Sequence, residues 1–321
     1  MTHRIPRFGR IGQLQKPVSR LIFGCAIRPM LDGKEVSPLL DEVLARGINA
    51  FDTAENYGRS EEALGRWLKH QRREEIVLIT KGCHPYRTKR VNPADLRRDF
   101  YQSLERLGTD YIDIYLLHRD DPAVPVAPLM DTLNDLHRQG LIRQFGGSNW
   151  TCQRLREANA YARANGLQPM TVSSPSYSIG TQAQDPWGDG VTLTGPEHAA
   201  DRQWYRDEKI ALVTYSALGR GFFAGKITHQ TPRAQAQTQL DGFALKGYWS
   251  DDNLLRLQRL EAMATQKSCT VAQLALAWLL RQEEAVHPIL STTRAENLTA
   301  WLAAFDLPLS LEEAAWLNLE A

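Results

Sequence analysis

Short apolar runs alternate with helical patterns along almost the whole chain, and this alternation constrains the fold more than any other feature. A helical pattern follows each apolar run, which is typical of repeated strand–helix units. Such units form a parallel sheet whose faces are covered by helices. The predicted strands are residues 21–24, 49–52, 76–81, 112–118, 143–148, 171–174, 211–215 and 287–290.

The helical segments carry their own start and stop signals. In the clearest of them, Asn92 can cap the helix, Pro93 suits its first turn and Gly108 can end it. Thr270 and Gln273 have the spacing of a capping box near the C-terminus. Other helices are predicted within residues 36–46, 61–70, 129–140, 151–165, 197–207 and 294–305.

Eight such units favour a closed (β/α)8 TIM barrel over an open doubly wound sheet. A chain of 321 residues suits a single barrel domain over residues 1–321. Residues 6–12 predict an N-terminal β-hairpin that plugs the bottom of the barrel. Residues 185–195 and 228–247 are predicted to be long loops at the C-terminal face, where barrel active sites are assembled.

The charge balance and the cysteine pattern argue against several classes of function. The 38 basic residues nearly cancel the 37 acidic ones, and no block of like charge suggests a nucleic-acid or membrane surface. The basic start of the chain lacks an apolar stretch, so we expect a cytoplasmic protein. Four separated cysteines without Cys/His ligand spacing predict reduced thiols and no metal site. A small-molecule substrate fits better, and the oligomeric state is not indicated.

Four polar residues stand where predicted strands end. Asp52, Lys81 and His118 close the second, third and fourth strands, and Tyr57 lies in the loop after Asp52. Carbonyl reduction requires a hydride for the carbon, a proton for the oxygen and stabilisation of the charge that develops there. Tyr57 could donate the proton, with its pKa lowered by Lys81, which Asp52 would orient. His118 could donate a second hydrogen bond to the same oxygen.

Taken singly, each of these residues also has a structural interpretation. An Asp and a Lys at neighbouring strand ends often form only an ion pair, and a loop tyrosine is commonly packing. A metal-dependent barrel hydrolase is a second alternative, but it needs clustered His and carboxylate ligands, and only His118 qualifies.

Four motifs in order resemble the aldo-keto reductase family: FDTAENYG at 51–58, ITKG at 79–82, YIDIYLLHR at 111–119 and GGSN at 146–149. The resemblance covers nearly the whole chain and implies that Asp52, Tyr57, Lys81 and His118 are the catalytic tetrad. It implies an oxidoreductase, an aldehyde reductase by class, that reduces an aldehyde or ketone to the alcohol with a nicotinamide cofactor. A cofactor-binding regulatory subunit with little turnover is the alternative within the family.

The cofactor has no GxGxxG fingerprint to bind it, so it must be held at the barrel's own phosphate site. The resemblance implies that Ser148 and Asn149 hydrogen-bond the nicotinamide carboxamide. It also implies that Tyr215 stacks on the nicotinamide ring. Glycines after strand seven can approach a pyrophosphate, to which Arg220 adds positive charge, and strand eight leads into a helix N-terminus. The predicted cofactor contacts are Gly24, Cys25, Asp52, Ser148, Asn149, Ser174, Tyr215, Ser216, Leu218, Gly219, Arg220, Gly221, Ser291, Thr292, Thr293, Arg294 and Asn297.

Three positions depart from the usual family contacts. Ser174 stands where the family usually has a glutamine, Thr293 where an Arg or Lys is common, and Trp301 where an Asn is frequent. A flexible connector for the glycine-rich loop and ordinary helix capping by Thr293 remain open as alternatives. NADPH is the first choice of cofactor, and NADH is possible.

Loops after strands one, three, four and six are expected to line the mouth of the pocket, including residues 27–28, 84–87, 119–121, 150 and 187–189. Charged side chains could bind hydroxyl groups there while an indole covers a ring face. This favours a sugar-like or other polar carbonyl substrate and a role in carbohydrate metabolism, although a solvated loop rim is equally compatible. The predicted substrate contacts are Arg28, Tyr86, Arg119, Asp120 and Trp150.

Overall fold

A computed structural model describes residues 5–320; the first four residues of the basic N-terminal segment, and Ala321, lie outside it. Eight parallel strands close into a barrel, in the order β10-β3-β4-β5-β6-β7-β8-β9. The strands of the structure are β1 (Phe8–Gly9), β2 (Val18–Ser19), β3 (Ile22–Gly24), β4 (Ala50–Asp52), β5 (Val77–Gly82), β6 (Ile112–Leu117), β7 (Ile142–Ser148), β8 (Val172–Ser174), β9 (Ala211–Thr214) and β10 (Val286–Leu290). The predicted (β/α)8 TIM barrel is confirmed, with every barrel strand within one residue of its predicted ends.

Helices cover the outside of the barrel. The described helices are α1 (Arg28–Leu31), α2 (Ser37–Ala45), α3 (Ser60–Leu68), α4 (Pro93–Leu107), α5 (Val126–Arg138), α6 (Cys152–Ala164), α7 (Ala199–Asp207), α8 (Arg233–Ala236), α9 (Gly242–Tyr248), α10 (Asp251–Gln266), α11 (Val271–Leu280), α12 (Glu296–Ala303) and α13 (Leu311–Leu317). The described part of the chain holds no helix of the length and apolarity needed to span a membrane.

The predicted helix ends have the expected local geometry. The Asn92 side chain accepts a hydrogen bond from the Asp95 amide, and Gly108 ends α4 in the left-handed conformation at φ 61°. Thr270 and Gln273 form a reciprocal capping box at α11. Residues 228–247 are not the continuous loop predicted, because α8 and most of α9 lie within them and Asp241 caps α9. The stretch is polar overall, but both short helices bury apolar residues, such as Ala236 in α8 and Tyr248 in α9.

The predicted N-terminal hairpin is also confirmed, as the antiparallel pair of β1 and β2, although its second strand comes later than residue 12. Ile11, Leu14 and Val18 pack with the side chains that fill the barrel interior, including Val77 and Ile114. The hairpin segment thus closes the bottom of the barrel, away from the carboxyl ends of the strands.

Candidate active site

The register of the barrel brings the predicted catalytic side chains to one end. Asp52 is the last residue of β4, Lys81 lies one residue from the end of β5, and His118 directly follows β6. The His118 amide donates to the Gly82 carbonyl at 2.8 Å, which continues the pairing of β5 with β6 past the end of the strand. Parallel pairing therefore places the three side chains side by side at the carboxyl end of the sheet.

Lys81 is almost fully buried and makes three hydrogen bonds. Its ammonium donates to Asp52 Oδ1 at 2.6 Å, to Asp52 Oδ2 at 2.8 Å and to the Thr53 carbonyl at 2.9 Å. Burial acts to lower the pKa of Lys81, but Asp52 and Tyr57 outweigh it, so the pKa lies above its usual value. Lys81 is therefore a fixed positive charge next to the phenol of Tyr57.

Tyr57 lies over Lys81 and beside His118. The ammonium is 5.0 Å from the centre of the Tyr57 ring, and the ring meets His118 edge-on at 5.6 Å and 76°. The sign of the predicted pKa shift was wrong: burial raises the pKa of Tyr57, and the opposing effect of Lys81 does not compensate. The phenol is consequently protonated at neutral pH and holds a proton that it can donate.

His118 is neutral in this setting. Burial and the nearby positive charge of Lys81 hold the pKa of its imidazole well below the usual value. A neutral imidazole keeps one N–H donor, which can hydrogen-bond an oxygen without adding a charge to the site. The carbonyl of His118 accepts a hydrogen bond from the Asn149 amide group at 3.3 Å, so the residue is anchored to the strand β7 side of the barrel.

A cleft of about 770 Å³ opens over these residues. Asp52, Tyr57, Lys81 and His118 all line it, so the structure brings the whole predicted group together. The predicted cofactor contacts that also line the cleft are Gly24, Asp52, Ser148, Asn149, Ser174, Tyr215, Ser216, Leu218, Arg220, Gly221, Ser291, Arg294 and Asn297.

Four predicted cofactor contacts do not line the cleft. Cys25 and Gly219 are buried in the packing, and the Thr292 hydroxyl accepts hydrogen bonds from the Arg294 amide and from Asn297. Thr293 is exposed beside them. Thr292 caps the turn before α12. This agrees with helix capping, the alternative that the sequence left open for this segment.

The residues next to the tetrad fit the carboxamide of a nicotinamide. Ser148 donates to the Ser174 carbonyl at 3.0 Å, and Tyr215 donates to Asn149 Oδ1 at 2.7 Å. The Ser174 hydroxyl is buried, lines the cleft and has no hydrogen-bond partner among the described residues. An amide that entered here would give that hydroxyl a direct hydrogen-bond partner.

Arg220 lines the cleft as predicted, but its charge is paired within the protein. Its guanidinium donates to Asp241 Oδ2 at 2.6 Å and lies 5.5 Å from the ring of Trp187 and 5.3 Å from that of Phe243. The two rings are 6.1 Å apart and inclined by 17°, so the loops after β8 and β9 meet over the cleft. Asp241 neutralises much of the charge that Arg220 was expected to offer a pyrophosphate. Lys226, which sequence reasoning missed, lines the same part of the cleft.

Four of the five predicted substrate contacts lie outside the cleft. Arg28 is exposed and pairs with Asp32, and the Tyr86 hydroxyl donates to Glu55 at 2.7 Å. Asp120 pairs with Arg154 at 2.9 Å. Trp150 is 1% exposed and packs against Gly147, where an added Cβ would lie 2.4 Å from the indole. The structure does not place these four side chains at the cleft, because residues that follow a strand can also turn towards the helical layer or towards solvent. Arg119 does line the cleft.

Sequence reasoning missed other lining residues. Asn56 lies inside the FDTAENYG motif and lines the cleft, but the motif was interpreted through Asp52 and Tyr57 alone. Asp241 and Gln273 reach the cleft from segments after β9, far along the chain from the tetrad. His84 was expected at the mouth without a role, and it lines the cleft with its ring 4.9 Å from that of His118.

Comparison with known proteins agrees with this fold and site. A family model described as "Aldo/keto reductase family" matches residues 21–318. "Probable aldo-keto reductase 1" of Glycine max is 30% identical over 314 residues, which cover 94% of this chain and 85% of that protein. "NADH-specific methylglyoxal reductase" of Escherichia coli strain K12 is 29% identical over 291 residues, 84% of this chain and 82% of that protein.

The family model spans nearly all of this parallel barrel, so the chain belongs to the aldo-keto reductase family. The resemblance drawn from its four motifs is confirmed. Membership supports an oxidoreductase that uses a nicotinamide cofactor. The comparisons do not decide between NADP and NAD, because one of the relatives is named as NADH-specific.

Proposed function

We propose that this protein reduces an aldehyde or ketone to the alcohol with NADPH or NADH, and that Tyr57 donates the proton. One observation carries the proposal: a protonated phenol, a neutral imidazole and a buried lysine–aspartate pair line one cleft at the carboxyl end of the barrel. Family membership supports it, as does the similarity to a methylglyoxal reductase.

Tyr57, His118 and Lys81 have different roles in the protonation of the substrate oxygen. Tyr57 and His118 would both donate to one carbonyl oxygen, since their rings are 5.6 Å apart and both residues line the cleft. Negative charge grows on that oxygen during reduction and then moves to the phenol as its proton leaves. The Lys81 ammonium, held by Asp52, stabilises that phenolate.

The nicotinamide would supply the hydride when it is bound. Ser148, Asn149 and Ser174 are the residues that would hold its carboxamide, and Tyr215 would lie against the ring. Arg294 and Asn297 line the far end of the cleft and suit the adenosine. A guanidinium binds a phosphate better than a neutral ribose, so we propose a preference for NADPH through Arg294. NADH remains the alternative because of the NADH-specific relative.

The substrate is proposed to be a polar carbonyl compound, sugar-like or otherwise oxygen-rich. Arg119, His84 and Asn56 make the part of the cleft beside His118 polar. Polar groups that line a cleft favour ligands that hydrogen-bond with them.

A panel of aldehydes and ketones assayed with NADPH and with NADH tests the function. We expect turnover of at least one polar aldehyde, with a lower KM for NADPH than for NADH. Fluorescence titration of both nucleotides belongs to the same experiment. Tight nucleotide binding without turnover of any carbonyl would instead support a cofactor-binding regulatory subunit.

A further inference from the structure

The cleft holds a second set of polar groups that the reduced oxygen does not need. His84 and Arg119 line the cleft next to His118, and Asn56 lines it next to Tyr57. Nδ1 of His84 and Oδ1 of Asn56 are both buried without a hydrogen-bond partner in the described part of the chain. Buried polar atoms of this kind are uncommon in folded proteins, and in a cleft they suggest a ligand.

His84 is held against His118 by ring contact. The two imidazoles meet edge-on, 4.9 Å apart and at 65°. Burial and the positive charge of Arg119 lower the pKa of His84, so its imidazole is neutral near pH 7. A neutral imidazole beside the residue that binds the reacting oxygen can donate to an oxygen on the adjacent carbon.

Arg119 directly follows His118 in the chain and lines the same cleft as His84. Its side chain is 11% exposed, and Nε lies 3.2 Å from Asp189 Oδ1. Tyr57 and His118 line this cleft as well. Asp189 engages one edge of the guanidinium, and the remaining N–H groups can donate to a further oxygen.

We propose that His84 and Arg119 form a subsite for a second, uncharged oxygen on the carbon next to the reacting carbonyl. The inference rests on the proposed function and narrows its substrate class to 2-oxoaldehydes and 2-hydroxyaldehydes. An uncharged oxygen is favoured over a carboxylate because Asp189 already supplies the negative charge that Arg119 requires. A substrate carboxylate would meet the like charge of Asp189.

Matched three-carbon substrates test the subsite. Values of kcat/KM are measured for 2-oxopropanal, 2-hydroxypropanal, propanal and pyruvate, with aldehyde concentrations corrected for hydration. We expect the wild type to prefer both oxygen-bearing aldehydes over propanal by at least about tenfold, the loss that follows when buried donors are left unpaired. Three of these substrates carry oxygen on the carbon next to the reacting carbonyl. Among them, pyruvate should have the lowest kcat/KM.

Substitutions then locate the preference. His84→Phe keeps a ring against His118 but removes the donor, and we expect it to reduce the preference over propanal by about tenfold, mainly through KM. His84→Gln retains a donor and should restore part of the preference. His70→Phe makes the same change at an exposed histidine remote from the cleft and should leave the preference as in the wild type.

Several outcomes would overturn the subsite. A wild type that reduces propanal as well as 2-oxopropanal has no second-oxygen site. If His84→Phe lowered kcat/KM equally for 2-oxopropanal and for propanal, His84 would have a purely structural role. Efficient reduction of pyruvate would contradict the choice of an uncharged oxygen. No turnover of any carbonyl with either nucleotide would overturn the proposed function, and this inference with it.

Discussion

Lys81 places its ammonium 2.6 Å and 2.8 Å from the two carboxylate oxygens of Asp52, at a point where both side chains are almost fully buried. A buried pair in this geometry repays the cost of removing two charges from water only while both partners are present. The Lys81 ammonium therefore contributes both to the stability of the barrel and to the electrostatics around Tyr57.

We expect Lys81→Met to destabilise the protein by about 3–5 kcal/mol, because it leaves the Asp52 carboxylate buried without its partner. The double variant Lys81→Met with Asp52→Leu removes both charges and should recover most of that loss. Urea unfolding followed by circular dichroism measures both variants. A double variant no more stable than Lys81→Met would show that the unpaired charge is not the cause.

Tyr57→Phe should lower kcat by about 10²–10⁴, the usual contribution of a positioned general acid. Nucleotide affinity should change little, because the phenol faces the substrate oxygen. Tyr86→Phe is the matched control, since the Tyr86 phenol donates to Glu55 outside the cleft. Full kcat in Tyr57→Phe on the best substrate would show that the proton comes from another group.

His118 should not titrate in the neutral range, because burial and Lys81 hold its pKa well below 6.5. The pH profile of kcat/KM should therefore have the same shape for the wild type and His118→Gln between about pH 5.5 and pH 8, the range in which an ordinary histidine titrates. The two should differ in magnitude only. An inflection near pH 6.5 that appears in the wild type and disappears in His118→Gln would contradict a neutral His118.

His287 should make the fold acid-sensitive. It is buried beneath the hairpin, its Nδ1 lies 3.2 Å from the Ser19 carbonyl, and burial lowers its pKa from 6.5 to about 3. Between these values the unfolded chain binds the proton and the folded chain does not. The free energy of unfolding consequently falls as the pH drops from 6.5 towards 3, with a maximum slope from this group of about 1.4 kcal/mol per pH unit.

His287→Gln should reduce that slope when urea unfolding is followed at pH values of about 7, 6 and 5. His70→Gln changes an exposed histidine and serves as the control. Identical slopes in the wild type and His287→Gln would assign the acid sensitivity to other groups.

Local sequence patterns sufficed for most of the barrel and for its catalytic candidates. Most barrel strands contain a short apolar run, and the Asn92 cap and the Thr270–Gln273 box involve atoms within one turn of helix. Asp52, Lys81 and His118 could be assigned to one site because parallel strands bring their carboxyl ends together. Their strand-end positions are visible in the sequence once the strands are recognised.

The tertiary structure decided what depends on distant contacts. It turned Trp150 into the helical layer, engaged Arg220 with Asp241, Trp187 and Phe243, and placed His84 against His118. It also reversed the expected pKa shift of Tyr57, because burial is set by packing from segments far apart in the chain. The sequence by itself determined which residue types stand at the strand ends. Only the folded chain decided which way each side chain points and how much water surrounds it.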